Sequence, residues 1–285
     1  MMSLSKVTSG LKTEFGGRIR KVKGSILRRN TIRKYRTLAE QNSIEDSGFI
    51  ASGFSLLPAI GKENLEGLND QYIHLTESSH NHSVDKSAYS GLYMGESMPL
   101  DSAAYKVALD VDVLAHIAGY MGQAPIIHGL RFIQSSPLEH NVDSDRLVWN
   151  RDQIWHKDKY DHYSVRLFVY LKDVNSQNGP FQFINRQESK SIPSAVYRRF
   201  TDEELEAKGM MKDVNTVMGS AGNRFLCDVR ANVHCGSRCV TNTRLAFTVI
   251  YTTCNPWMQS SLPKVNSESA SKLYKHPLQL AALGL

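Results

Sequence analysis

The chain has 285 residues, of which 41% are hydrophobic and 22% charged, and its formal net charge is +6. These values are ordinary for a soluble globular protein, and the length suits one large domain or two small ones. No run of about 18 apolar residues is present, so the sequence predicts no membrane-spanning helix.

The basic charge is concentrated at the start of the chain. Residues 1–36 contain eleven basic side chains and one acidic side chain, a net charge of +10, so the remaining 249 residues carry −4. We therefore predict a basic N-terminal arm, residues 1–36, that is disordered or amphipathic, and a single domain over residues 37–285. The segment "GSILRRNTIRKYRTLAEQ" mixes apolar residues with cations, as a short helix on a membrane surface does. An arm of this kind is most often a solvated extension, and the alternative of peripheral membrane contact is favoured over nucleic-acid binding because the segment contains few aromatic residues for base stacking.

Two features bear on the cellular compartment. The start, "MMSLSKVTSGLKTEFGG", lacks the apolar core of a secretory signal, although its basic character is shared by organelle transit peptides. The four cysteines lie in the last quarter of the chain without a CxxC pair, which argues against a structural zinc site. We therefore expect buried, reduced thiols and a cytoplasmic protein.

The first clear element is helical. In "DSAAYKVALDVDVLAHIAGYMGQAP", apolar residues recur at helical spacing, and Gly122 followed by Pro125 predicts the end of the helix. The next segment, "IIHGLRFIQ", is predicted to be a strand.

From residue 164 the apolar period changes to two. In "SVRLFVYL", valine and leucine occupy one face of a predicted strand, and the other face carries Arg166, Phe168 and Tyr170. Thr201 and Glu204 have capping-box spacing, which predicts a short helix. Strands resume in "NRFLCDVRANVHCG" and "TRLAFTVIYTT", and the polar tail "SSLPKVNSESASKLYKHP" is expected on the surface. A helical front followed by short strands predicts an α+β protein with a β-sandwich or barrel core.

The segment "WHKDKY" suggests a metal site. If it is extended, His156 and Asp158 share one face, and Lys157 points to the other. Imidazole and carboxylate ligands suit a divalent first-row metal, and two histidines with one carboxylate leave three coordination positions open on iron(II). His234, at the end of a predicted strand, is the best candidate for the second histidine.

Arg244 begins the strand ten residues after His234. An arginine among apolar neighbours is unfavourable unless it meets an anion, and a guanidinium matches a carboxylate in bidentate fashion. A metal with open positions beside a buried arginine would suit a chelating 2-oxo acid.

At this point the chain resembles a known family. "WHKDKYDHYSVRLFVYLKDVNSQNGPFQFI", followed by His234 and Arg244, is similar to the phytanoyl-CoA dioxygenase family of Fe(II)/2-oxoglutarate oxygenases. The resemblance implies a double-stranded β-helix (jelly-roll, cupin-like) core with flanking helices. It also implies that His156, Asp158 and His234 bind Fe(II) as the catalytic centre, and that Arg244 holds the cosubstrate 2-oxoglutarate. In "FIQSS", Gln134 matches a position from which some members contact the cosubstrate.

The resemblance implies an enzyme that uses O₂ to hydroxylate a C–H bond of a small molecule or lipid-like substrate, with release of succinate and CO₂. We expect a monomer or homodimer. Asp158 argues against a halogenase, in which halide needs that coordination position. After the "NGP" turn the chain reads "FQFINRQESKS" rather than the usual proline, glycine, serine and histidine run, so the substrate class does not carry over. The alternatives are a catalytically silent jelly-roll binding protein and a cupin-type metalloenzyme that does not use 2-oxoglutarate.

Other residues near these motifs have weaker assignments. We interpret "SSHNHSVDKS" as a solvated loop rather than a second metal site, although it could cover the first. His162 is expected at the substrate entrance, and Trp155 and Tyr160 either pack in the core or touch substrate. Basic residues near the entrance could accept one anionic group: Lys157, Lys159 and Arg166.

Overall fold

The computed structural model describes residues 29–78, 89–93, 98–137, 153–192, 198–260 and 262–285. No helix in these ranges is long and apolar enough to cross a membrane. The described helices, in chain order, are α1 (29–42), α2 (Ser47–Ser52), α3 (Lys62–Ser78), α4 (Ala103–Ala108), α5 (Val111–Met121), α6 (Asp202–Glu206), α7 (Ser267–Leu273) and α8 (Pro277–Ala282).

The strands form two antiparallel sheets. The major sheet has the order β1-β7-β4-β9-β3-β2, and the minor sheet has the order β6-β5-β8. Among the described strands, most neighbours in a sheet are not consecutive in the chain, the exceptions being β2–β3 and β5–β6, and such crossing connections are typical of a jelly roll. The strands are β1 (Phe54–Leu57), β2 (Tyr89–Tyr93), β3 (Ile126–Ser135), β4 (Val165–Tyr170), β5 (Phe181–Ile184), β6 (Val214–Val217), β7 (Arg224–Asp228), β8 (Val233–Gly236) and β9 (Arg244–Thr252).

The core is layered around the major sheet. One face of this sheet packs against α1, α4, α5 and α8, in a cluster that includes Leu167 and Val249. The other face meets the minor sheet through aromatic rings, among them Phe168 on β4 and Phe181 on β5, whose centroids lie 4.6 Å apart. Because both faces of β4 are covered, all six of its residues are buried. The predicted α+β architecture with a jelly-roll core is therefore confirmed.

Several local signals act as the sequence predicts. Gly122 ends α5 with φ +65°, a conformation that glycine adopts without strain. Thr201 and Glu204 form the predicted capping box at the start of α6. The cysteines are free thiols, buried at three of the four positions and half-buried at Cys254.

The predicted N-terminal arm is described only from residue 29 onward. Helix α1 crosses the predicted boundary between residues 36 and 37, and residues 1–28 lie outside the described ranges. Tyr35 and Ala39 are buried in the core, and the Tyr35 hydroxyl donates to the carbonyl of Ala281 at 3.0 Å. The apolar face of α1 therefore packs on the domain itself and leaves mainly its basic face exposed.

The tail is more structured than its composition indicates. Helices α7 and α8 follow residue 266, and Ala270, Tyr274 and Leu278 are buried among the helices. The polar residues of α7 lie on the surface as predicted, but these apolar positions anchor the tail.

Candidate active site

The "WHKDKY" segment is extended beside strand β8. His156 and His234 are paired by two backbone hydrogen bonds, with N···O distances of 3.0 and 2.9 Å. Side chains therefore alternate: His156 and Asp158 point between the two sheets, and their neighbours point away. Trp155 is buried in the core outside the minor sheet, and the Lys157 ammonium donates to two backbone carbonyls.

His156, Asp158 and His234 converge. Each residue offers one potential ligand atom, and these three atoms lie within 4.8 Å of one another. In the described ranges, no other set of three His, Cys, Asp or Glu residues brings its ligand atoms this close together. Nε2 of His156 is 3.6 Å from Oδ1 of Asp158, and the two imidazole centroids are 4.4 Å apart. This is the triad that the sequence predicted.

Both imidazoles are oriented by the backbone. Nδ1 of His156 lies 2.7 Å from the carbonyl of Ile154, and Nδ1 of His234 lies 3.1 Å from that of Asn232. A carbonyl oxygen only accepts, so each Nδ1 carries the hydrogen and each Nε2 presents a lone pair. In metal sites this arrangement fixes the tautomer of a histidine ligand.

His234 Nε2 provides a test of whether a metal fits. This atom is buried and has no hydrogen-bond partner among the described residues. A buried polar atom of this kind is unfavourable unless something binds it. Burial, with a smaller contribution from the neighbouring His156, lowers the pKa of His234 to about 3, so the ring is neutral at physiological pH. The donor set and the orphaned nitrogen together fit a divalent metal ion.

Asp158 has a charged partner that the sequence did not indicate. Arg166 on β4 donates to its Oδ2 at 2.8 Å, and the Arg166 side chain is only 8% exposed. Burial opposes ionisation of Asp158, but the positive charge of Arg166 holds the pKa of the carboxyl below its usual range. Arg166 therefore belongs to the metal site and does not line an open substrate entrance.

A cavity extends from the triad between the two sheets. It contains about 450 Å³ of space, including its open mouth. Its walls include the aromatic rings of Phe168, Tyr170 and Phe181, and Arg166, Arg244 and Thr248 also line it. The Thr248 hydroxyl is buried and without a hydrogen-bond partner among the described residues.

Arg244 is held at the cavity wall by its neighbours. Its guanidinium donates to the carbonyl of Gly179 and, at 3.1 Å, to the hydroxyl of Ser135. A Cβ at position 236 would lie 2.5 Å from Nη2 of Arg244, so glycine at this position leaves the space that the guanidinium occupies. The structure thus brings Arg244 to the same cavity as the triad.

Gln134 does not reach this cavity. Along β3, Ile133 and Ser135 face the cavity or Arg244, and Gln134 points to the opposite side, where its amide oxygen accepts from Tyr72. Its position argues against the predicted contact with a cosubstrate. Ser135, one residue later, is the strand residue that reaches Arg244.

The remaining candidates are dispersed. His162 packs edge-on against Trp257, with ring centroids 4.7 Å apart, and lines a separate surface pocket. The Tyr160 hydroxyl accepts from Arg131 at 3.2 Å. His80, His82 and Asp85 lie outside the described residues.

Comparison with solved structures gives the same architecture. The epimerase SnoN from nogalamycin biosynthesis, in complex with Fe³⁺, alpha ketoglutarate and nogalamycin RO, has a TM-score of 0.54 and 14% identity, covering 79% of this chain and 87% of that chain. HygX from Streptomyces hygroscopicus, with nickel, 2-oxoglutarate and hygromycin B, has a TM-score of 0.51 and 17% identity, covering 79% and 92%. The fold is a jelly roll of this kind.

A third similar structure is EctD from S. alaskensis with 2-oxoglutarate and 5-hydroxyectoine, at a TM-score of 0.53 and 15% identity, covering 75% of this chain and 78% of that chain. No family model and no curated protein sequence matches the chain. At these sequence identities the structural similarity establishes the fold and does not by itself establish the reaction.

Proposed function

We propose that the protein is an Fe(II)- and 2-oxoglutarate-dependent dioxygenase that oxidises a C–H bond of a small molecule. The observation that carries the proposal is the convergence of a His–Asp–His triad and a buried arginine on one cavity. Support also comes from the fold, since SnoN and HygX have been crystallised with a metal and the same 2-oxo acid.

His156, Asp158 and His234 would hold the metal through two Nε2 atoms and one carboxylate oxygen. Iron(II), with 2-oxoglutarate and O₂, supplies an oxidant capable of attacking an unactivated C–H bond, with release of succinate and CO₂. Arg166 holds the second oxygen of Asp158, so a single oxygen of that carboxylate faces His156. The three ligand atoms would therefore lie on one side of the ion, and the coordination positions on the cavity side would stay open.

Arg244 would bind the far carboxylate of 2-oxoglutarate. Its guanidinium has further N–H groups beyond those donated to Gly179 and Ser135, and a carboxylate is the anion that this planar fork matches. The apolar walls, including Phe168 and Phe181, exclude water and strengthen this attraction.

The substrate proposal remains at the level of a small molecule. The "WHKDKY" and "NGP" motifs favour the phytanoyl-CoA dioxygenase family among proteins of this fold. Peripheral membrane contact through the basic residues 1–36 remains part of the proposal, and in that range Tyr35 is buried in the domain and does not take part. Cytoplasmic location and a monomeric or homodimeric state stay predictions, and light scattering measures the latter.

An anaerobic titration tests the proposal. Adding Fe(II) and 2-oxoglutarate to purified protein should produce a weak visible charge-transfer band, and O₂ should then yield succinate. Arg244→Lys should weaken 2-oxoglutarate binding with iron still bound. Arg224→Lys is the matched control, because Arg224 is also a buried strand arginine but pairs with Asp110 away from the cavity.

The outcomes separate the alternatives. Metal binding without the band supports a cupin-type enzyme that does not use 2-oxoglutarate, and the absence of both metal and cosubstrate binding supports a silent jelly-roll protein. Screening pooled metabolites for stimulated succinate release then identifies the substrate, and a product that gains one oxygen atom identifies hydroxylation.

A further inference from the structure

A second pocket lies on the outer side of the "WHKDKY" segment. It shares no lining residue with the metal cavity and contains about 990 Å³ of space, including its opening. Three connections build it: residues 157–163, residues 186–192 and the turn at 230–231. Its lining includes four basic side chains, namely Lys157, Arg186, Lys190 and Arg230.

The single carboxylate in this lining, Asp228, makes no ion pair within 4 Å with these cations, and its charge acts on Lys157 and Arg186 only at longer range. Asp228 is 2% exposed, and its oxygens accept from the Tyr120 hydroxyl at 2.7 Å and from the backbone amides of Arg230 and Ala231 at 3.0 and 3.1 Å. Among the described residues, none of the ion pairs involves Arg186, Lys190 or Arg230. No carboxylate oxygen in the described part of the chain lies within 4 Å of a side-chain nitrogen of these three residues. The pocket therefore concentrates positive charge.

Two of the cations are fixed in position. The Lys157 ammonium is 2.8 Å from the carbonyl of Ser189 and 2.9 Å from that of Ile192, which leaves its third hydrogen available. The Arg230 guanidinium lies over the Trp257 ring at 4.4 Å, and its Nη1 is buried without a hydrogen-bond partner in the described ranges. A buried, charged donor without an acceptor indicates a missing anionic ligand.

We propose that this pocket binds the phosphate group of a small molecule. Phosphate offers several oxygens to donors that arrive from different sides, and both guanidinium and ammonium groups bind it. The pocket is much larger than one phosphate ion, so it has room for the molecule that carries the group. The site acts outside the metal cavity and does not depend on the proposed oxygenase activity.

Calorimetric titration of the full chain with inorganic phosphate tests this site. Wild type should bind phosphate. Lys190→Gln and Arg230→Gln should each weaken binding by about tenfold, because a hydrogen bond to a charged group contributes about 1.5–3 kcal/mol. Lys190 is exposed, so its substitution should leave the fold intact even if Arg230→Gln does not. The matched control is Arg36→Gln on the exposed face of α1, which should bind phosphate as wild type does.

Two further titrations identify where phosphate binds and which kind of compound the site prefers. Arg244→Gln should keep phosphate binding, because that side chain lines the other cavity. Glycerol 3-phosphate binding more tightly than inorganic phosphate indicates a phosphorylated metabolite, and weaker or equal binding indicates free phosphate. The proposal is overturned if wild type binds neither compound, or if binding is lost in Arg244→Gln but retained in Lys190→Gln and Arg230→Gln.

Discussion

Arg166 donates to Oδ2 of Asp158 at 2.8 Å, while Oδ1 of the same carboxylate faces Nε2 of His156 at 3.6 Å. The two oxygens thus have different surroundings: one is neutralised by a guanidinium, and the other is directed toward the histidines. Such outer partners orient ligand groups in metal sites.

Replacing Arg166 should therefore weaken metal binding. We expect Arg166→Met to reduce Fe(II) affinity by about 10–100-fold, the usual effect of removing a group that orients a ligand. Arg166→Lys, which keeps the charge, should recover part of the loss. Competition with a chelator of known affinity measures it. Unchanged affinity in Arg166→Met would show that Asp158 needs no partner.

The space at Gly236 should control cosubstrate binding. In Gly236→Ala the new methyl group would collide with Nη2 of Arg244, at 2.5 Å, and displace the guanidinium. We expect the KM for 2-oxoglutarate to rise by about tenfold or more, since charged hydrogen bonds are lost, with metal affinity retained. Gly129→Ala is the control, because the nearest atom to its Cβ would be 3.9 Å away. Equal effects of the two substitutions would contradict this role for Gly236.

Replacing Thr248 should affect the stability of the protein and the binding of 2-oxoglutarate differently. Its buried hydroxyl has no partner among the described residues, so Thr248→Val should leave the free energy of unfolding of the metal-free protein unchanged or raise it. If the hydroxyl donates to bound 2-oxoglutarate, affinity should fall about fivefold, equivalent to about 1 kcal/mol. Denaturant unfolding and cosubstrate titration measure the two quantities. A loss of stability without a loss of affinity would contradict the prediction.

The buried imidazole of His234 should make the metal-free protein sensitive to acid. Its pKa is lowered to about 3 by burial and by His156, whereas an unfolded histidine has a pKa of about 6.5. Between these values the unfolded chain binds a proton that the folded protein does not, so stability present above pH 6.5 is lost as pH falls toward 3. The slope from this group approaches about 1.4 kcal/mol per pH unit.

Denaturant unfolding at several pH values, without metal, checks that slope. His234→Gln should show a shallower loss of stability between pH 6.5 and 4 than wild type. His116→Gln is the control, since His116 lies on the solvent side of α5 with its Nδ1 bonded to the carbonyl of Asp112. Identical pH profiles for wild type and His234→Gln would contradict the assignment.

Local patterns explain what the sequence could predict. His156 and Asp158 are two residues apart in an extended segment, so their shared face follows from backbone geometry alone. The alternation in β4 and the capping box at Thr201 are likewise local. The position of His234 at the end of a predicted strand makes it a candidate ligand, but its contact with residue 156 is not local, because only the folded sheets bring β8 beside that residue.

The missed features depend on tertiary packing. The sequence places Arg166 near the entrance, whereas in the structure it shares a buried strand face with Phe168 and Tyr170 and pairs with Asp158. Gln134 and Ser135 differ by one residue, and in a strand that difference reverses the face. The apolar residues of α1 could equally have met a membrane, and their packing on the domain became evident only from the fold.

A crystal structure of the protein grown anaerobically with Fe(II) and 2-oxoglutarate tests the central claim most directly. We predict one iron bound by Nε2 of His156, Nε2 of His234 and one oxygen of Asp158, with the guanidinium of Arg244 on the far carboxylate of 2-oxoglutarate. Iron bound without His234, or 2-oxoglutarate bound away from Arg244, would contradict the account.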